Sequence, residues 1–496
     1  VRPSTAFLSA RQPCRRARSR TRQRVPHHRP FEEIATVTES STSTTPTPAD
    51  AGSLGADVLS RFEADFAADP AHRIVQNAVT VTPVDKIAKD RQLVVSLDTA
   101  VSHRLDSWKA ANQKKSGRCW LFAGLNLLRW SAAQQLGVKN FEFSQAYMHF
   151  WDKLEKANYF LTSMIDLAGR DEDDRTVHHL LSDPIGDGGQ WNMFVALVKK
   201  YGVVPQAAMP ETDSSSCTGP MNRTLSTLLR QGARDLRVLA AGEGADGYAS
   251  AAIAARKEEL LTEVHRVLSI HLGTPPQSFE WQWNTEDNGF TRDGVLTPLE
   301  FAQKYISVDL DDYVCLVNDP RSEYAQTFTV DRLGNVVGGA PVVYLNAPAD
   351  VLRRATMDTI VDGEPVWFGC DTGKQCDGEA GIWDAKLFDY DSVYGIDFDL
   401  DKAERLRFGD SLMTHAMLFT GVDVKDATPR KWRVENSWGD EKADKGFFTM
   451  NDSWFGEHVF EVAVHKDRLP EEYRAALETQ PVVLPAWDPM GALARG

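Results

Sequence analysis

Apolar positions fall in two rhythms along this chain, and the rhythm changes partway. From residue 54, LGADVLSRFEADF spaces Leu54, Val58, Leu59, Phe62 and Phe66 along one helical face. A denser run from Cys119 to Leu136 predicts a long helix, with Trp120, Leu121, Ala123, Gly124, Leu127, Leu128 and Ala132 on its inward side. Gly137 is its natural stop. Ser144 is placed to cap a second helix, SQAYMHFWDKLEKANYFLTSMIDLA. A third is expected from about Gln190 to Tyr201, between PIGDGG and the breakers Gly202 and Pro205. Residues 225–272 read as two more helices, exposed and charged. After about residue 305 short β-rich runs take over: DYVCLVN, TFTVD, PVVYLN, PVWFGC, HAMLFTGVDV, KWRVENSWG and GFFTMN. Helices first and strands later predict an α+β protein and not an alternating parallel sheet.

Composition narrows the classes. With 496 residues the chain exceeds one small core and suits one large elaborated domain or two to three units. A hydrophobic share of 42% and a charged share of 25% fit a soluble globular protein. No apolar run is long enough for a transmembrane helix. The six cysteines (Cys14, Cys119, Cys217, Cys315, Cys370 and Cys376) are too sparse for a disulfide scaffold. Cys370 and Cys376 have the wrong spacing for a zinc knuckle, so neither a metal nor another cofactor is expected.

Charge is uneven. Residues 1–31 carry nine arginines and no acidic residue, leaving 46 basic against 70 acidic residues, a balance of −24, from residue 32 onward. So acidic a body repels phosphate and argues against nucleic-acid binding by the folded part. The head reads as a disordered leader, with a targeting peptide or a nucleic-acid arm as alternatives. The Thr-, Ser-, Pro- and Ala-rich residues 32–53 read as a disordered linker.

The candidate chemistry centres on NQKKSGRCWLF. A nucleophilic cysteine needs a stabilised thiolate, a histidine to carry the proton, and donors for the oxyanion. Cys119 stands at an expected helix start, where the macrodipole favours an anion. Gln113, six residues earlier, offers a side-chain N–H, and the Cys119 amide a second donor. Alone, such a cysteine is more often an inert core thiol. His415, at the mouth of the strand in SLMTHAMLFTGVDV, changes the balance, because Asn436 in ENSWG can accept from one imidazole nitrogen and set the tautomer. Trp438 can cover that bond. The order Cys, His, Asn is that of papain-like peptidases. Cys370 and Cys315 lie in apolar strands and read as packing residues.

NQKKSGRCWLF, MTHAMLFTGVD and WRVENSWGD resemble the Gln, Cys, His and Asn boxes of papain-like enzymes, and more narrowly those of the bleomycin hydrolase / aminopeptidase C family. The likeness continues through FSQAYMHFWDKLEKANYFL, GDGGQWNMFVALVKKYGVVP, FTRDGVLTPLEF, DGEPVWFGCDTGK and WDPMGALA, and covers roughly residues 54–494. It implies a papain-like fold, a helical half and a β-barrel-like half, with large helical and hook insertions. The expected parts are a leader (1–53), the helical part of the catalytic domain (54–202), the insertion (203–330), the β-rich half (331–470) and a C-terminal arm reaching the active site (471–496). It implies Cys119 as nucleophile, His415 as acid/base, Asn436 as orienter, and Gln113 with the Cys119 amide as oxyanion donors. Gly188 and Gly189 resemble the paired glycines that admit a substrate backbone; a helix-entry turn explains them equally well.

The implied function is a cytoplasmic cysteine aminopeptidase acting on peptides with a free N-terminus and extending to bleomycin-like amides, assembled as a homohexamer. In the family the terminal carboxylate of the arm faces the substrate amine. Ala494 is the family-like end of the arm, so Arg495 and Gly496 are extra. They are trimmed, or they shift the carboxylate to Gly496, or they overhang in solvent. The alternatives are a papain-like endopeptidase and, from another class, a nucleic-acid-binding or scaffold protein using the basic leader.

Overall fold

The computed structural model describes residues 52–105, 108–138, 140–243 and 250–495. The Arg-rich leader, most of the linker and Gly496 therefore lie outside the described residues. The chain divides into Val1–Pro70 and Ala71–Gly496. In the first unit the amphipathic helix forms at Ala56–Ala68, with Leu59, Phe62 and Phe66 exposed.

In the second unit, helix α1 (Cys119–Leu136) ends where the sequence places its stop. Gly137 caps it at φ 61°, a left-handed conformation that suits glycine. The expected one-sided burial is corrected: 15 of its 18 residues are buried, so it is enclosed on all sides. Phe122 and Leu125, outside the expected inward side, are buried as well. Asn126 and Arg129 meet the buried Glu435 carboxylate at 2.9 and 2.6 Å. Helix α2 (Gln145–Asp166) starts from Ser144, whose hydroxyl accepts from the Tyr147 amide at 3.0 Å. Helices α3 (Trp191–Tyr201), α4 (Gly219–Glu243) and α5 (Ala251–Leu272) follow, then an antiparallel hairpin, Phe279–Asn284 with Phe290–Leu296, that the sequence reading lacked. The pair α4 and α5 is amphipathic rather than simply exposed; Leu225, Leu229, Leu260, Val264 and Leu268 are buried.

The strands join in one mixed sheet, 12-stranded among the described residues. Its centre runs β1 (Tyr313–Val317), β6 (Val459–His465), β2 (Val366–Cys370), β3 (His415–Lys425), β4 (Thr428–Glu435) and β5 (Phe447–Asn451), all antiparallel neighbours. Both faces are buried. Cys315, Trp367, Ala416, Leu418 and Ala463 enter the core shared with α1–α3. Their strand neighbours Leu316, Phe368, Met417, Phe419 and Val462 enter a second core with helix Ala349–Val361. The two-residue period of a strand divides these side chains between the cores, which is why the runs read as continuously apolar. The α+β architecture thus sets α1 against β3, with the start of each helix and strand available for chemistry.

Candidate active site

Cys119 opens α1 and is buried. The backbone amides of Ala416, Trp120 and Cys119 itself lie close to its sulfur. The Ala416 amide belongs to the residue after His415, so α1 and β3 meet at the thiol. Those amides favour a thiolate, but burial outweighs them and pushes the thiol up to about 11.

His415 begins β3 opposite Cys370 of β2. Its Nε2 lies 2.9 Å from Asn436 Oδ1. Since that amide oxygen accepts, Nε2 carries the hydrogen and Nδ1 is left basic. Burial, only partly offset by Asn436, pushes the imidazole down to about 4. Trp438 stands over the imidazole, ring centroids 5.1 Å apart and planes inclined by 33°. Asn436 Oδ1 also accepts from the Ser437 amide at 2.8 Å, while its buried Nδ2 has no hydrogen-bond partner among the described residues.

Gln113 reaches the same place by a different route. Its amide donates to the Ser437 carbonyl at 2.8 Å, and the Ser437 hydroxyl donates to Gln113 Oε1 at 2.5 Å. Nε2 donates to the Ser116 carbonyl at 2.5 Å, which uses one of its two hydrogens. The loop before α1 is thereby pinned to the loop carrying Asn436. The contacts of Asn126 and Arg129 with Glu435 tie α1 to the same strand end from beneath.

Gly188 and Gly189 lie just before α3. A side chain on Gly189 would start 2.5 Å from the indole of Trp120, the residue after Cys119. Close packing thus requires glycine there whatever approaches from outside. The Gly188 carbonyl accepts from Lys156, whereas the Gly189 N–H and C=O have no hydrogen-bond partner among the described residues.

The C-terminal arm reaches this loop. Met490 O accepts from Tyr344 Oη at 3.0 Å and from Gln190 Nε2 at 3.4 Å, and Leu493 is buried. The Ala494 carbonyl lies 3.4 Å from where a Gly186 Cβ would stand. Gly496 is outside the described residues. Cys370 and Cys315 are buried; the Cys315 thiol faces Asn192 Oδ1 at 3.0 Å. Among the described residues no cluster of three or more His, Cys, Asp or Glu could hold a metal, and no helix is long and apolar enough to cross a membrane.

Sequence reasoning missed Ser437, which orients Gln113, and the buried lysines Lys153 and Lys156 beneath the glycine loop. Ser437 was available inside ENSWG. The lysines were not, since lysine is seldom fully buried and nothing local marks an exception.

Comparison with known proteins bears on this geometry. Residues 53–491 match the model of a peptidase C1-like family. Aminopeptidase C of Listeria innocua serovar 6a is 42% identical over 440 residues, 88% of this chain and 98% of that protein. Bleomycin hydrolase of Homo sapiens is 42% identical over 438 residues, 86% of this chain and 95% of that protein. Among solved structures, PepW of Lactobacillus rhamnosis HN001 superposes with a TM-score of 0.86 at 41% identity, over 89% of this chain and 99% of that one.

Proposed function

The chain belongs to the peptidase C1-like family and is a cysteine peptidase, and on that premise we propose that it is an aminopeptidase. It releases residues from the free N-terminus of peptides and related amides, bleomycin-like amides included. Cys119 is the nucleophile, His415 the proton carrier and Asn436 its orienter. The Cys119 proton passes to His415, and the sulfur attacks the carbonyl carbon. The oxyanion is met by the Cys119 amide and the second hydrogen of Gln113 Nε2. His415 then gives its proton to the leaving amine, leaving a thioester. Water, deprotonated by His415, adds to that thioester and releases the acid and the thiol.

The observation that carries the aminopeptidase reading is the arm. Anchored at Met490, it runs to Ala494 beside Gly186, in the loop that bears Gly188 and Gly189. A carboxylate at the end of such an arm pairs with a substrate ammonium and obstructs longer peptides on that side. Exposed Ile396, Phe398 and Phe408 support the further proposal of a homohexamer that covers apolar surface.

The test is a matched pair of reporters, an aminoacyl amide with a free amine and its N-acetylated twin. The free amine is hydrolysed with kcat/KM at least about 100-fold higher if an anion at the arm reads the ammonium. Equal rates on the two would leave the endopeptidase reading in place. Deleting 489–496 should erase the preference while Cys119-dependent hydrolysis persists.

A further inference from the structure

Beneath the glycine loop lies a group of charges that the proposed mechanism does not use. Lys153, Lys156, Asp152 and Asp187 are all buried. Lys156 pairs with Asp152 at 2.8 Å and Lys153 with Asp187 at 2.6 Å, so the charges balance. Both lysines also hold the loop backbone: Lys153 donates to the Ile185 carbonyl at 2.6 Å, and Lys156 to the Gly186 carbonyl at 2.9 Å and the Gly188 carbonyl.

Asp187 differs from the other three because its contacts bracket the nucleophile. Its Oδ2 accepts from the Gly117 amide at 3.0 Å, two residues before Cys119. Its backbone carbonyl accepts from Trp120 Nε1 at 2.8 Å, one residue after Cys119. The remaining acceptor capacity is filled from the inserted region: Thr218 Oγ1 donates to Oδ2 at 2.5 Å and Asn222 Nδ2 to Oδ1 at 2.7 Å. A second tie runs alongside, since the Lys115 amide donates to the Ser216 carbonyl at 3.0 Å.

Five donors from four parts of the chain thus converge on one residue. A carboxylate without a fixed set of donors would not stay in so buried a place, and each donor is oriented by its own element. Among the described residues, Asp187 is the one side-chain acceptor for the Gly117 amide.

We propose that Asp187 is the positioning residue for Cys119, and that through Thr218 and Asn222 the inserted helical region forms part of the catalytic apparatus as well as of the architecture. Asp187 does not touch substrate. It fixes where the sulfur and the Cys119 amide stand relative to Gly189 and His415. The proposal rests on Cys119 being the nucleophile.

The experiment compares full-length Asp187→Asn, Thr218→Val and Cys119→Ala with wild type on the free-amine reporter. It also measures the rate at which iodoacetamide labels Cys119, read on the Cys119 peptide by mass spectrometry well below each variant's melting temperature. Asp187→Asn should lower kcat about 10- to 100-fold, the scale of an ångström-sized misplacement, with KM changed by no more than about threefold. Thr218→Val removes one donor and should lower kcat roughly threefold to tenfold, again at nearly constant KM. Labelling should change in step with kcat in both. Asp187→Asn leaves Lys153 without its anion; if that variant does not fold, Thr218→Val decides. Wild-type kcat and wild-type labelling in a folded Thr218→Val would overturn the proposal, as would a change confined to KM. Turnover surviving in Cys119→Ala would instead overturn the nucleophile assignment, so the two failures are told apart.

Discussion

Replacing Gly189 by alanine puts one methyl group against the indole that follows the nucleophile. That Cβ would sit 2.5 Å from Trp120 Cε2 and Cζ2 and 2.6 Å from Cδ2. Carbon atoms prefer about 3.5–4.0 Å, so ring or loop must retreat by about 1 Å. The ring has little freedom, because Trp120 is fully buried and Nε1 is held by Asp187 O at 2.8 Å. Its carbonyl is also held, by Trp367 Nε1 at 3.2 Å. Overpacking of this kind costs about 1–3 kcal/mol. The same displacement next to Cys119 should lower kcat about 100-fold. Urea unfolding and steady-state kinetics on the aminoacyl reporter give both numbers. A double variant with Trp120→Phe, which frees space, should be less destabilised than the sum of the singles by about 1 kcal/mol. Wild-type stability in Gly189→Ala, or a rise in KM alone, would refute the packing argument and leave substrate approach as the reason for glycine.

Two further predictions concern the frame around the site. Arg129→Met removes the ion-pair partner of the buried Glu435 carboxylate, leaving Arg433 as the other cation acting on it, and should cost roughly 3–5 kcal/mol in urea unfolding. Arg129→Met with Glu435→Leu should recover most of that, and failure to recover would show that the pair is not the cause. Burial, helped by Arg405, Lys402 and Lys374, pushes His458 down to about 3 from its ordinary 6.5. The unfolded state therefore takes the proton first, and this group destabilises the fold increasingly as pH drops below 6.5 toward 3. At pH 5 the effect is about 2 kcal/mol, so His458→Phe should lose about that much less stability than wild type between pH 7.5 and pH 5. Parallel losses would contradict it.

The parts of this protein that were legible in the sequence share a feature: their signals are local. Gly137 after an apolar run and Ser144 before one announce helix ends by backbone chemistry alone. His415 at the start of one strand and Asn436 at the end of the next are close because β3 and β4 are antiparallel neighbours. The missed features depend on partners distant in the chain. Strand β6 lies near the centre of the sheet, yet Glu461 interrupts its apolar pattern while being fully buried. The burial of Asn126 and Arg129 on α1 has no local signal, because they meet Glu435 only after folding. The hairpin at 279–296 alternates aromatic with polar residues, and Trp281 packs edge-on against Phe301, beyond the hairpin itself. The Asp187 cluster needs α2, the glycine loop and the start of α4 at once, so no single window of sequence contains it.

The central claim is that Cys119 carries the acyl group of a substrate bearing a free N-terminus. Acid-quenching wild-type protein during turnover of an aminoacyl ester, followed by peptide mass spectrometry, tests it directly. The account predicts an aminoacyl adduct on the peptide containing Cys119, abolished in Cys119→Ala and much weaker with the N-acetylated ester. An adduct on another residue, or turnover that persists in Cys119→Ala, would contradict it.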